Sequence, residues 1–230
     1  MSITKLEVNG ASLTESNQIS NELNSFFCDI GTNLSSKLPL ATTHVSDYIG
    51  ASVVNSIYVE PVTMDELDSL ISALNCNKSC GDDGISPRLV KENKTLMTEP
   101  LLYLFNLSLQ KGIVPTKLKL AKAKIIPVFK KGESTCLSNY RPIFFLCFFH
   151  KLLEKLVYKR LYGFLEKNKV LYDYQYGFRK NHSTALALLD VVDLCYSKID
   201  ESNKVLGIFL DLQKAFDTVD HSILLYKLSH

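Results

Sequence analysis

Apolar side chains recur at helical spacing in four long segments of this 230-residue chain. Residues three and four positions apart share one face of an α-helix, so each segment predicts an amphipathic helix with one buried face. The segments are Ile19–Leu34, Met64–Leu74, Phe149–Leu165 and about 183–199. The chain is therefore predicted to fold mostly as packed helices.

Short polar and proline motifs mark several helix boundaries. Thr63-Met64-Asp65-Glu66 has the pattern of a capping box, and Ser86-Pro87 places an N-cap residue before a proline at the first helical position. Pro100–Leu109 predicts a buried helix that ends at Gly112, and Leu38-Pro39 ends the first helix.

Three short apolar segments predict strands: Ile57–Val59, Lys124–Phe129 and Val205–Leu212. Together with the helices they indicate an α+β fold. Residues 39–56 are rich in Ser, Thr and Gly and predict a linker. The expected domains are an N-terminal helix with its linker at 1–55 and a larger unit at 56–230.

Composition excludes several classes of protein. With 46% hydrophobic and 22% charged residues, the chain can bury a core and is not intrinsically disordered. The longest apolar run, Ile143–Phe149, is too short to span a bilayer, and Met1–Lys5 lacks the apolar stretch of a signal peptide. Six cysteines without a C-x-x-C spacing predict reduced thiols. We expect an intracellular protein of the cytoplasm, the nucleus or both, without a membrane partner.

Positive charge is concentrated in the middle of the chain. Residues 111–181 contain 16 Lys and Arg against 4 Asp and Glu, and tyrosines and phenylalanines lie between these cations. Cations that neutralise phosphates and rings that stack on bases are typical of nucleic-acid-binding surfaces. A solvated lysine-rich helix face would have the same composition, so charge alone leaves both interpretations open.

Asp211 lies at the end of the apolar run Val205–Leu212. Phosphoryl-transfer enzymes use carboxylates at strand ends to hold Mg²⁺, which prefers oxygen ligands. On position alone, a helix N-cap or a salt-bridging aspartate is the commoner role of such a residue.

The segment Phe209–His221, which contains Asp211, resembles the first catalytic motif of reverse transcriptases from non-LTR retrotransposons of the jockey-like LINE type. Four upstream segments resemble further motifs of that family in the correct order. They are Gly81–Ile85, Ile126–Glu133, Asn139–Ile143 with Lys151–Lys155, and Gln175–Arg179 with Ser183-Thr184. Ile19–Leu34 resembles the helix that precedes the polymerase.

The resemblance implies a right-hand polymerase fold, with fingers at about 56–200 and the start of the palm at about 201–230. It implies that Asp211 is catalytic and that Asp211 and the Leu212 carbonyl hold catalytic Mg²⁺. Phe216 would exclude the 2′-hydroxyl of ribonucleotides.

The resemblance also implies the residues that contact substrates. Lys130 or Lys131, together with Arg141, would bind the triphosphate, and Gln175 and Arg179 would contact template or primer. The implied partners are an RNA template, a DNA primer and deoxynucleoside triphosphates.

Adjacent aspartates elsewhere do not complete this site. Asp82-Asp83 lie in a glycine turn far upstream, whereas the family's aspartate pair follows the first motif. We therefore expect these 230 residues alone to be inactive, and an unpaired 205–212 strand to cause self-association. The alternatives are a nucleic-acid-binding remnant without chemistry, or a helical interaction protein, which would explain neither the motif order nor Asp211.

Overall fold

The described part of this computed structural model, residues 3–37, 42–50, 52, 54–78, 80–81, 83–119, 124–145, 147–212 and 214–230, contains eight α-helices, four strands and two short 3₁₀ helices, Val45–Tyr48 and Leu137–Asn139. The helices are α1 (Ser16–Ser35), α2 (Met64–Ser72), α3 (Pro87–Glu92), α4 (Lys94–Lys111), α5 (Thr116–Lys119), α6 (Phe148–Lys167), α7 (Thr184–Asp200) and α8 (His221–Ser229). The strands are β1 (Leu6–Val8), β2 (Ala11–Leu13), β3 (Lys124–Phe129) and β4 (Tyr140–Phe145), in the antiparallel pairs β1–β2 and β3–β4. The α+β prediction is confirmed. The two-domain division stays a prediction, and Leu38-Pro39 and Asp82 lie outside the described residues.

The main core joins α2, α3, α4 and α6 through their apolar faces. Its fully buried side chains include Leu67, Ile71, Phe105 and Leu156. Three of these residues were in helices predicted from apolar spacing, which shows that the periodic faces point inward. None of the described helices is long and apolar enough to cross a membrane.

The smaller second core joins α1, the β1–β2 hairpin and Tyr140 of β4. The sequence analysis did not predict this hairpin, whose turn residues Asn9 and Gly10 have φ values of 50° and 82°. Two successive positive φ values are typical of a tight turn between antiparallel strands, and Asn-Gly supplies them at low cost. The Glu7 amide also donates to the Thr135 carbonyl at 2.9 Å, which fixes the N-terminal hairpin beside β4.

The predicted N-cap residues are present, but the Glu66 carboxylate of the predicted capping box binds Arg160 and Lys159 instead of closing the box. The Thr63 hydroxyl accepts from the Glu66 amide at 3.2 Å, and the Ser86 hydroxyl accepts from the Leu89 amide at 3.2 Å. Gly112 ends α4 in the left-handed conformation, with φ 64°.

One helix begins earlier than predicted, because α4 starts at Lys94 and contains Pro100 in its interior. An interior proline costs a helix about 3 kcal/mol. Burial of Leu101 and Phe105 offsets this cost, and the Thr98 hydroxyl donates to Asp68 of α2 at 2.9 Å.

The predicted strand at Ile57–Val59 is wrong, since this segment has no regular secondary structure. Its continuation is held by a side chain instead. Arg160 of α6 donates to the Glu60 carbonyl at 2.5 Å and to the Pro61 carbonyl at 3.0 Å, and it binds the Glu66 carboxylate at 2.9 Å. A strand is stable only beside a partner strand, and no described strand pairs with residues 57–59.

The Glu66–Arg160 pair predicts a pH-dependent contribution to stability. Partial burial raises the pKa of the Glu66 carboxyl, but hydrogen bonds from Arg160 and Lys159 outweigh this and hold the pKa below its usual value. Because the folded-state pKa is lowered, the stabilisation is present above the unfolded-state value of about 4.3 and is lost as the pH falls through the folded-state value.

We expect Arg160→Met to lower the free energy of unfolding by about 2–3 kcal/mol at pH 7, since the Arg160 side chain is 10% exposed and bonds Glu66 and backbone carbonyls. Lys159→Met is the matched control. It removes a 70% exposed partner of the same carboxylate and should cost about 0.5 kcal/mol or less. Urea denaturation measures both, and the Arg160→Met loss should shrink toward about pH 2. Equal losses for the two variants would contradict this assignment.

The predicted strand at Val205–Leu212 is also wrong. The segment has no regular secondary structure, and Leu206 and Phe209 are 86% and 95% exposed. An isolated strand leaves its backbone groups unpaired, and no described strand lies beside this segment. None of the α7 side chains is buried either. The expected exposed apolar surface is therefore present, while self-association through it stays a prediction.

The β3–β4 hairpin, in contrast, was half predicted. Strand β3 is confirmed, and its partner β4 brings Pro142 directly opposite Pro127. The Lys130 amide donates to the Asn139 carbonyl at 2.8 Å, so that pair is hydrogen-bonded. Hydrogen-bonded and non-bonded pairs alternate in antiparallel ladders, which places the two prolines in a non-bonded pair. Neither proline costs the hairpin a cross-strand hydrogen bond.

Candidate nucleotide and nucleic-acid interface

Lys130 and Arg141 lie on one face of the β3–β4 hairpin. Arg141 pairs with Val128, and the Lys130–Asn139 hydrogen bond continues the ladder beyond β3. Paired residues share a face and every second residue returns to it, so Lys130, Val128 and Arg141 lie on the same side. Both cationic residues are exposed. Lys131 lies in the turn that follows this ladder.

The two faces of the hairpin differ in environment. Tyr140, on the opposite face, is 4% exposed, packs in the core with Leu23 and Phe27, and donates from its hydroxyl to the Ser134 carbonyl at 2.6 Å. On the Arg141 face, the apolar residues Ile126, Val128 and Ile143 are 41, 40 and 45% exposed. A flat apolar surface beside two cations can bind a ligand that combines an anion with an aromatic ring.

The loop between α6 and α7, residues 168–183, contains Gln175 and Arg179. The Arg179 side chain is 11% exposed, donates to both Glu166 carboxylate oxygens at 3.2 and 3.4 Å, and donates to the Tyr172 carbonyl at 2.9 Å. Hydrogen bonds from Tyr162 and Arg179 lower the pKa of the Glu166 carboxyl. Arg179 thus anchors the loop to α6, while Gln175 is exposed. Their roles as nucleic-acid contacts stay predictions.

The same loop is also tied to α7. The Tyr176 hydroxyl donates a short hydrogen bond to the Asp190 carboxylate, which raises the pKa of Tyr176 to about 12. On the α6 side, the Lys180 amide donates to the Tyr162 hydroxyl at 3.1 Å, and the Lys180 ammonium lies 5.8 Å from the Tyr162 ring centroid. Fixed at both ends, the loop presents its remaining aromatic rings to solvent.

Phe178 connects this loop to the segment that follows Asp211. Its φ is 62°, a left-handed conformation that is unfavourable for a bulky residue, and its side chain is 84% exposed. The Phe178 and Phe216 rings meet edge to face, with centroids 5.6 Å apart at 90°. The structure therefore brings together two of the motifs singled out in the sequence.

Asp211 and Leu212 are both exposed and lie in the irregular 203–212 segment. A carboxylate and a backbone carbonyl are the oxygen ligands that Mg²⁺ prefers. Among the described residues, however, no group of three or more His, Cys, Asp or Glu converges on a point that could hold a metal. These two residues fit a Mg²⁺ site in donor type, and their role as metal ligands stays a prediction.

Two other carboxylates, of Asp220 and Asp83, accept hydrogen bonds within their own local structure. Asp220 caps α8, where its carboxylate accepts from the Ser222 and Ile223 amides at 2.8 and 3.1 Å. A hydrogen bond from the Ser222 hydroxyl and those amide bonds lower the pKa of Asp220. Asp83 accepts from the Ile85 amide at 3.1 Å in its own turn, as its glycine-rich sequence predicts.

The sequence analysis missed the pairing of Phe178 with Phe216 and the anchoring role of Glu166. Phe178 carried a signal only as an aromatic residue after Gly177 in a polar loop, which does not identify Phe216 as its partner. Glu166 carried none, since its partner Arg179 is 13 positions away across a loop.

Part of the chain matches a known protein family. Residues 128–230 match the reverse transcriptase (RNA-dependent DNA polymerase) family. Residues 128–230 belong to that family. The chain is 32% identical over 184 residues to the RNA-directed DNA polymerase from mobile element jockey of Drosophila melanogaster, covering 80% of this chain and 20% of that protein.

Two further relatives support the same assignment. The jockey polymerase of Drosophila funebris is 34% identical over 172 residues, covering 73% of this chain and 18% of that protein. The probable RNA-directed DNA polymerase from transposon BS of Drosophila melanogaster is 30% identical over 175 residues, covering 75% and 19%. The resemblance to non-LTR reverse transcriptases is confirmed, and the chain spans about a fifth of the length of these relatives.

Proposed function

We propose that this chain forms the fingers and the beginning of the palm of a polymerase that copies an RNA template into DNA. The DNA primer and deoxynucleoside triphosphates are the other substrates. The exposed face of the β3–β4 hairpin is the observation that carries this proposal. Lys130 and Arg141 are positioned to bind the negative charge of a triphosphate. The half-exposed Ile126, Val128 and Ile143 form an apolar surface on which a base can pack.

The hairpin register favours Lys130 over Lys131 as the triphosphate ligand. Lys130 shares the Arg141 face, whereas Lys131 begins the turn. The guanidinium of Arg141 can bind two phosphate oxygens at once, and the ammonium of Lys130 acts as a compact charge.

Asp211, Leu212 and Phe216 form the palm side of the proposed site. Asp211 and the Leu212 carbonyl would hold Mg²⁺, which supplies charge neutralisation at the transferred phosphate when it is bound. Phe216 is 77% exposed and contacts the Phe178 ring edge to face, so most of its ring stays accessible. Such a ring can exclude an added 2′-hydroxyl on steric grounds. Gln175, exposed in the Phe178 loop, is the proposed contact to template or primer.

We expect Arg141→Ala and Lys130→Ala each to weaken binding of a fluorescent deoxynucleoside triphosphate by about tenfold or more, since a hydrogen bond to a charged group contributes about 1.5–3 kcal/mol. Lys131→Ala is the matched control and should change affinity by less than about twofold. RNA affinity, measured by anisotropy, should fall less than triphosphate affinity for Arg141→Ala. Equal losses for both ligands would instead assign Arg141 to backbone contacts.

A nucleic-acid-binding role without chemistry is the second candidate. It is favoured because the described residues offer Asp211 no convergent carboxylates. Two-metal phosphoryl transfer requires ions clamped between several carboxylates, and Mg²⁺ binds a lone carboxylate weakly. We expect primer extension by the 230-residue polypeptide to stay at background and Asp211→Ala to leave it unchanged. Extension that Asp211→Ala abolishes would reject this second candidate.

A further inference from the structure

Helix α1 buries a row of residues spaced four apart. Ile19, Leu23 and Phe27 are 4, 6 and 8% exposed, and all three pack in the second core with Tyr140. Residues at this spacing form one ridge along a helix surface. The next position in the same row is Gly31, so the ridge ends in a residue without a side chain.

Gly31 lies against the backbone of the segment that follows Asp211. A Cβ atom placed on Gly31 would clash with the Asp217 carbonyl oxygen and would lie 3.2 Å from its carbonyl carbon. Main-chain atoms cannot swing aside as a flexible side chain can. Gly31 is in a regular helix, where glycine is unfavourable, so the close approach of Asp217 is the structural reason for glycine at this position.

The segment that meets Gly31 is a compact turn. The Asp217 and Thr218 amides both donate to the Lys214 carbonyl, at 2.9 and 3.2 Å. Phe216, within the turn, contacts Phe178. The turn is thus held from two sides, by α1 and by the loop between α6 and α7.

We infer that α1 is a common support that sets the position of the β3–β4 hairpin relative to the turn after Asp211. Its buried row packs in the same core as Tyr140, the neighbour of Arg141, and the row continues to Gly31, which lies against Asp217. Helix α1 lies outside residues 128–230, the part that matches the reverse transcriptase family. Gly31 is therefore a positioning residue for the aspartate motif, whether or not this polypeptide polymerises DNA.

Gly31→Ala tests this inference, with Gly163→Ala as the matched control. Each glycine lies four residues before the last residue of a 20-residue helix, and a Cβ on Gly163 would meet nothing within 4 Å. Both substitutions raise helix propensity equally, so a difference between them isolates the Asp217 contact. We expect Gly31→Ala to accelerate hydrogen exchange of the Asp217 and Thr218 amides by about tenfold and Gly163→Ala to leave both unchanged.

Two further measurements separate positioning from general loosening. The edge-to-face contact should shift the Phe216 ring proton resonances, and Gly31→Ala should reduce that shift while Phe105 amide exchange in the main core stays slow. Leu23→Ala, in the middle of the row, should accelerate exchange of both the Lys130 and Asp217 amides.

Contrary results are specific. Unchanged turn exchange in Gly31→Ala, or a response of the hairpin alone in Leu23→Ala, would overturn the inference. If Gly31→Ala does not fold, the unaltered protein still tests it, because a nuclear Overhauser effect between the Gly31 Hα and the 217–218 turn is required. Its absence in the folded wild-type chain would refute the contact.

Discussion

Raising the salt concentration from about 50 to 200 mM should weaken the binding of single-stranded RNA to this chain by about 300-fold. Each phosphate contact contributes about −0.7 to the slope of log affinity against log salt for single strands, and the estimate assumes six contacts. Residues 111–181 contain 16 Lys and Arg. Arg160 and Arg179 bind Glu66 and Glu166 instead, so fewer cations are available than the sequence count indicates.

Anisotropy titrations at several salt concentrations measure this slope. Lys180→Gln should reduce its magnitude by about one contact, because Lys180 is an exposed cation of the loop between α6 and α7. Lys198→Gln is the control, since Lys198 lies outside the basic segment and pairs with Glu201 at 2.8 Å. A flat salt dependence would exclude electrostatic binding by this surface.

Phe105→Ala should lower the free energy of unfolding by about 3–5 kcal/mol, the usual cost of truncating a fully buried phenylalanine to alanine. Phe105 is 0% exposed at the centre of the main core, where α4 meets α2 and α6. Tyr103→Ala tests the same helix at a residue that is 72% exposed, and should change stability by about 0.5 kcal/mol or less. Urea denaturation of both variants gives the comparison. Similar losses would mean that α4 does not bury the face assigned to it.

Elements encoded by neighbouring residues were predictable from the sequence. Thr63, Ser86 and Gly112 act within one turn of their own helices, so their patterns are complete in a short window of sequence. The same holds for α1 and α6, whose apolar faces repeat over five turns.

Strands were less predictable because a strand depends on its partner. Residues 57–59 and 205–212 have apolar, strand-like sequences but no neighbouring strand in the described structure. Strand β4 was missed because Pro142 and its aromatic neighbours give no clean alternation, yet pairing with β3 fixes it. Helix α8 is not predicted from the sequence, because its cap, Asp220, lies within the segment assigned to the aspartate motif.

Some features of the candidate site were also predictable from the sequence, and others required the structure. The resemblance identified Asp211, Phe216, Arg141 and the two lysines, but only the pairing register separates Lys130 from Lys131. The sequence could not indicate that Arg179 binds Glu166, since residue type alone does not reveal which cations are already neutralised within the fold.

The facing prolines of the β3–β4 hairpin also limit what the hairpin can recruit. In a non-bonded pair the amide of each residue points away from the partner strand, and at Pro127 and Pro142 that donor is missing. Both outer edges of the ribbon are therefore interrupted at the same level, so a third strand cannot dock along either edge with a continuous ladder. The ribbon is protected from fibril-like growth even though its Arg141 face is partly apolar. Aggregation of this chain, where it occurs, should start from the exposed C-terminal segment and leave the hairpin backbone free.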